Sequence, residues 1–262
     1  MFVKSLGAGQ PAQIEYAAYG TGIPVTLFIH GLGGGIDDTR PLASGVGGTR
    51  VFMHQRSHGN SSDAGHGVTY EQLAADAWTV SNAVGAKQIF GVSLGSAVLL
   101  RMLAQSPAAF DAVGVYLPAA VTAPRPPSPV RAILESGQSQ QQIMDDLSNL
   151  TAMDLPAARR ERSDARAWVR TRVKRLLRPG IRQLLDVVCT ESPVNSAAEL
   201  AAVTAPAVVI GAAGDPTHFV STAVELHQAL PQSKLTIFAD SAPLWTARTE
   251  LRAAITDVLG PE

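Results

Sequence analysis

Short apolar runs alternate with stretches of helical spacing along most of the chain. The runs VTLFIH (25–30), RVFMHQ (50–55), KQIFGVS (87–93), AVGVYLP (112–118), PAVVIGA (206–212) and KLTIF (234–238) are continuous apolar blocks rich in β-branched and aromatic residues. Blocks of that kind predict strands buried on both faces. Between them, residues 70–84 carry Leu73, Ala74, Ala77, Val80 and Val84 at helical spacing, SAVLLRMLAQ (96–105) reads as a helix stopped before Pro107, and a last helix fits 246–259. Strands alternating with helices predict an α/β fold with a mostly parallel sheet covered on both faces. FVKSLGAG and QIEYAAYG, ahead of the first parallel strand, read as an antiparallel hairpin at the sheet edge.

The strand rhythm stops between about 121 and 200. That stretch opens on the proline cluster APRPPSP (123–129) and continues as helices, with Trp168, Val169, Val173, Leu176 and Leu177 forming an apolar stripe. It reads as a helical cap inserted into a core made of residues 1–120 and 201–262. The insertion also concentrates charge: residues 159–182 hold ten basic and two acidic side chains, whereas the whole chain has 21 basic and 22 acidic ones. Two readings stand for these arginines. They are the solvated face of an amphipathic helix, or they receive an anionic ligand such as a carboxylate-bearing peptide, a phosphopantetheine group or an acyl carrier surface.

Composition narrows the function class. A net charge of -1 over 262 residues argues against nucleic-acid binding. The absence of an apolar leader or a long apolar run predicts no signal peptide and no membrane span. A single cysteine, Cys189, fits a reducing, cytoplasmic setting. No cluster has metal-ligand spacing, so no metal and no organic cofactor is implied. The expected partner is a small-molecule or short peptide substrate; oligomeric state is not read.

Two glycine-flanked motifs carry chemistry. Gly91-Val92-Ser93-Leu94-Gly95 lies between a predicted strand and a predicted helix. A sharp turn there lifts the Ser93 hydroxyl above the carboxyl edge of the sheet, and the Leu94 amide points from the helix N-terminus toward the same spot. His30-Gly31-Leu32-Gly33-Gly34 follows another strand, and the Leu32 amide is the candidate second oxyanion donor. His30 and Gly31 are expected at the pocket wall.

These motifs resemble those of the α/β-hydrolase superfamily, over nearly the whole chain. HGLGGG is similar to its oxyanion loop and GVSLG to its nucleophile elbow. HQRSHGNSSD (54–63) resembles its D-x-R-G-x-G-x-S loop, with His54 in place of Asp and Ser57 in place of Gly. VVIGAAGDPTH (208–218) resembles the strand end that carries the acid, which implies that role for Asp215. The resemblance also implies about eight strands and a cap after the sixth. It further implies a histidine in the loop after the last strand, but that loop reads FADSAPLW (238–245), and Ala242 stands at the expected position.

Three accounts of the missing histidine remain open. Another histidine has taken over, His218 being the nearest to Asp215 in sequence, with structural and substrate-contacting roles equally available to it. A native histidine was exchanged for Ala242. Or the triad is broken and the fold does other work, with Asp240 as a base for proton removal. Asp240, Ala242 and Trp245 are expected at the substrate pocket. The leading expectation is serine acyl transfer on a small ester, thioester or amide, with Ser93, Asp215 and His218 as the catalytic set. The alternatives are an epimerase, isomerase or cyclase of the same fold, and a silent ligand-binding relative.

Overall fold

A computed structural model describes residues 1–7 and 10–260. The chain forms one eight-stranded sheet, in the order β1-β2-β4-β3-β5-β6-β7-β8. β1 (Phe2–Ser5) and β2 (Ala12–Tyr19) form the antiparallel edge. The hairpin expected there includes residues 8 and 9, which lie outside the described residues. β3 (Val25–Ile29), β4 (Thr49–Met53), β5 (Gln88–Val92), β6 (Ala112–Tyr116), β7 (Ala207–Ala212) and β8 (Ser233–Phe238) run parallel to one another. The apolar runs form the inner strands because both faces of the sheet are covered there, whereas β8, at the edge, has no fully buried residue. In β6 and β7 every residue is buried.

The short helix α1 (Ile36–Thr39) follows β3. α2 (Tyr70–Val84) starts at a capping box in which Thr69 and Gln72 satisfy each other's end groups, and it stops at Gly85, whose φ of 66° closes the last turn. α3 (Leu94–Gln105) follows β5 directly. With α8 (Val220–Ala229) these two helices cover one face of the sheet through Leu73, Ala77, Val98, Met102, Ala223 and Leu226. The other face packs Phe28, Phe52 and Phe90 beneath α10 (Arg248–Leu259). The Phe28 and Phe52 rings stack at 5.0 Å.

Between β6 and β7 lie α4 (Pro129–Leu134), α5 (Gln140–Met153), α6 (Ser163–Leu176) and α7 (Ile181–Thr190). α9 (Pro243–Thr246) lies between β8 and α10. The outer-face expectation for the arginines of 159–182 holds for Arg162 and Arg166, which are exposed and paired with Asp164 and Glu161. It fails for three others. Arg172 donates to the Leu32 carbonyl at 2.9 Å, Arg175 pairs with Asp37 and Asp38, and Arg178 donates to the Gly59 carbonyl. A guanidinium reaches across a helix interface and satisfies loop carbonyls that would otherwise be buried without a partner. No helix among the described residues is long and apolar enough to cross a membrane.

Candidate active site

Strand order reverses between β3 and β5, which are neighbours although β4 separates them in sequence. At such a switch point the loops leaving adjacent strands part and leave a crevice. Ser93 and the HGLGGG loop sit there. Ser93 has φ 51° and ψ -113°, a conformation that costs a non-glycine residue about 1–3 kcal/mol. Surrounding contacts enforce it: the Ser93 N–H donates to the Tyr116 carbonyl at 3.1 Å, and its own carbonyl accepts from Ser96 and Ala97. Gly91 and Gly95 allow the approach. A Cβ on Gly91 would lie 2.6 Å from the Gly95 carbonyl oxygen, and one on Gly95 would collide with the Ile29 carbonyl.

The serine hydroxyl lies 2.8 Å from His218 Nε2, and His218 Nδ1 lies 2.9 Å from Asp215 Oδ2. An ionised carboxylate only accepts, so Nδ1 carries the hydrogen and Nε2 accepts the serine proton. Asp215 Oδ1 accepts the N–H groups of Thr217 at 2.7 Å and His218 at 2.9 Å. Partial burial works against the Asp215 charge. The hydrogen bond and charge of His218, with the two amides, outweigh it and hold the carboxyl below its ordinary value. The carboxylate and the imidazole therefore share one turn at the end of β7.

Ala242 is buried in the cavity wall, where an imidazole was expected from the family pattern. Asp240 departs from its expected place. It is exposed and off the cavity wall, and its Oδ1 accepts the Ala242 N–H at 2.8 Å. An Asp bonding to the backbone two residues on is ordinary turn chemistry, and it turns this carboxylate away from the crevice. Trp245 lines the cavity and meets Trp168 edge-on at 5.9 Å.

The HGLGGG loop is fastened by three histidines: His54 and His58 behind it, and His30, its own first residue, which with Gly31 lines the cavity. His30 Nε2 accepts the Gln55 N–H and its Nδ1–H donates to the Gly31 carbonyl. His58 Nε2 accepts the Gly33 N–H at 2.8 Å, and its Nδ1–H donates to the Arg56 carbonyl. His54 Nε2 accepts the Ile36 N–H and its Nδ1–H donates to Glu15. Each ring is neutral by this pattern. Burial pushes His58 down to about 3 and holds His30 well below the usual imidazole value. His54, in the family's Asp position, thus works through both ring nitrogens. Ser57, in the family's Gly position, adopts φ 62°, and its hydroxyl accepts the Ala64 N–H at 2.8 Å. Beside them Arg56 and Asp76 form a buried ion pair at 2.6 Å.

This loop abuts the serine: a Cβ on Gly31 would lie 3.1 Å from Ser93 Cβ. The amides of Leu32 and Leu94 have no acceptor among the described residues. A cavity of about 210 Å³ opens before Ser93. Its apolar walls include Leu42, Val130, Leu150, Met153, Leu244 and Trp168. Arg125, Asp154 and Arg172 bring charge to it. Sequence reasoning passed over Arg125 and Asp154. For Arg125 a usable signal existed, since it is the one charged residue of a proline cluster just past the carboxyl end of β6.

Solved structures match this architecture along nearly its full length. The chain aligns with an esterase from Exiguobacterium antarcticum at a TM-score of 0.79 and 15% identity, covering 98% of both chains. An enol-lactonase from Burkholderia xenovorans gives 0.79 at 17% identity, covering 97% of this chain and 98% of that one. A hydrolase from Pseudomonas aeruginosa gives 0.77 at 18%, covering 99% and 98%. The chain has the α/β-hydrolase fold. No family profile matches the sequence. No curated protein matches it in sequence either. Within this fold the arrangement around Ser93 departs from the pattern in one respect: the imidazole at the serine comes from the β7 end and not from the β8 end.

Proposed function

We propose that the protein is a serine hydrolase that transfers the acyl group of a small ester, thioester or amide to water. The observation that carries this reading is the unbroken hydrogen-bond chain from Ser93 Oγ through His218 to Asp215. His218 takes the serine proton as Ser93 attacks the carbonyl carbon. Asp215 holds the imidazole in the tautomer that leaves Nε2 free to accept, and it stabilises the imidazolium that forms. The amides of Leu32 and Leu94 bind the oxyanion of the tetrahedral intermediate. His218 then protonates the leaving group and later activates the water that releases the acid. The α4–α7 segment acts as the cap over this site. His30, His54 and His58 fix the loop that presents Leu32, so the donors need not reorganise during reaction.

A fluorophosphonate probe tests this reading. The wild-type protein is expected to label at Ser93. The S93A variant should not label at all, and H218A should label at least a hundredfold more slowly. Folded wild-type protein that resists the probe would remove the acyl-transfer proposal.

A further inference from the structure

The cavity wall carries two cations that the triad does not use, Arg125 and Arg172, and Arg125 is the one whose side chain has no hydrogen-bond partner among the described residues. The Arg125 guanidinium faces the cavity from the segment that follows β6, and its own amide is tied to the Val188 carbonyl at 3.1 Å. Its side chain has no hydrogen bond or ion pair among the described residues. Removal from water works against its charge, while Cys189, then Asp215, Tyr70 and Asp154, favour that charge without forming an ion pair with it. An arginine stays ionised in such a place, and leaving its donors unfilled is costly.

The other charges of the wall are largely committed. Asp38 accepts from Trp168 Nε1 at 2.9 Å and from Arg175 at 2.7 Å. Asp215 is taken by His218. The Asp154 side chain has no hydrogen bond or ion pair among the described residues either, and burial, the largest influence on it, holds its carboxyl above the ordinary value against the charges of Arg172, His218 and Arg125. Arg172 places one nitrogen on the Leu32 carbonyl. Burial thus works against the charge of Asp154, and the fixed charge left to the cavity wall is positive, in the same cavity that Ser93 lines. A planar guanidinium fork matches a carboxylate through two parallel hydrogen bonds.

We propose that Arg125 binds a free carboxylate carried by the substrate, so that the enzyme's substrates are half-esters or half-thioesters of short dicarboxylic acids. This rests on the acyl-transfer reading above and specifies its substrate class. The apolar walls hold the carbon chain between the two ends. The arginine grips the end that does not react and so positions the ester carbonyl at Ser93.

The test compares p-nitrophenyl hydrogen glutarate with its neutral ethyl diester. Wild-type kcat/KM is expected to favour the half-ester at least tenfold. In R125M that preference should disappear, the ratio of the two kcat/KM values falling at least tenfold to about one, and R125K should recover part of it. In parallel, S93A protein is titrated calorimetrically with glutarate, and binding should be lost in the S93A/R125M pair. Thermal melting shows that each variant is folded. Hydrolysis of both esters with no preference, or a preference that survives R125M, overturns the carboxylate site and leaves the acyl-transfer reading intact. Glutarate binding that depends on Arg125 in a protein that hydrolyses neither ester supports the site and overturns the reading of the reaction. Glutarate that binds neither S93A nor S93A/R125M, together with an absent preference, also overturns the site.

Discussion

Two groups of histidines surround the HGLGGG loop, and they use the same ring to opposite ends. His54 and His58 sit behind it and His30 within it, and each of the three accepts a backbone N–H on Nε2 and donates from Nδ1 to a fixed oxygen. In front, His218 donates from Nδ1 to a carboxylate, but Nε2 faces a serine hydroxyl beside an open cavity. An imidazole whose Nε2 already accepts a backbone N–H cannot gain a proton there without breaking that bond. One that is tied on a single side, with a serine hydroxyl on the other, is free to accept that proton and pass it on. The difference lies in the partner of the second nitrogen, not in distance from the loop.

The largest effect should come from the front. H218A is expected to lower kcat by about 10³–10⁵-fold with little change in KM, and in an S93A background it should add nothing further, because the two act as one unit. D215N should cost about 10⁴-fold, since an amide in that place donates to Nδ1 and leaves a hydrogen on Nε2 pointing at the serine. Steady-state kinetics on any turned-over ester measures both. Retention of a tenth of wild-type kcat in H218A would erase the distinction between the two groups.

The rear group should speak through stability. H58A leaves the buried Gly33 N–H without an acceptor and should lower unfolding stability by about 1–3 kcal/mol in urea titrations. Acid should act the same way. The folded value for His58 lies near 3, below the ordinary 6.5, so the unfolded chain binds more protons in the interval between them. Stability is therefore full above pH 6.5 and declines as pH falls toward 3, with a slope of up to about 1.4 kcal/mol per pH unit for each such histidine. His30 shifts in the same direction. Urea midpoints at pH 7 and pH 5 should differ less in H58Q than in the wild type; an unchanged difference would count against a neutral, structural His58.

The smallest expected response tests the β8 end. A242H in an H218A background is expected to recover no more than about tenfold of the lost kcat. Asp215 Oδ1 is already committed to the Thr217 and His218 amides in the β7 turn. Recovery to near wild-type rates would show that either strand end can serve.

The six parallel strands and α2 are legible from sequence because burial on both faces writes itself as unbroken apolar runs, and helical spacing survives in 70–84. The Ser93 turn is legible because a strand, two glycines and a helix leave one sterically acceptable path. The position of the imidazole is not. His30, His54, His58 and His218 are equal as letters, and only the fold decides which ring has a nitrogen turned toward the crevice. The mixed fate of the arginines was hidden for a similar reason. Helical spacing places Arg172 and Arg175 beside the apolar stripe, but their partners, the Leu32 carbonyl and Asp38 of α1, are more than 100 positions away in sequence. Asp240 looked chemical by its address and proved to be a turn former by its bond to Ala242.

Because Asp215 and His218 occupy a single turn whose own amides set their spacing, the pair forms a contiguous cassette. Slippage of β8 or α10 would leave the mutual geometry of acid and base untouched. The segment Gly214–Phe219 is then a unit that can be grafted whole onto the corresponding strand end of a related scaffold, leaving the last loop free to be redesigned for substrate shape alone.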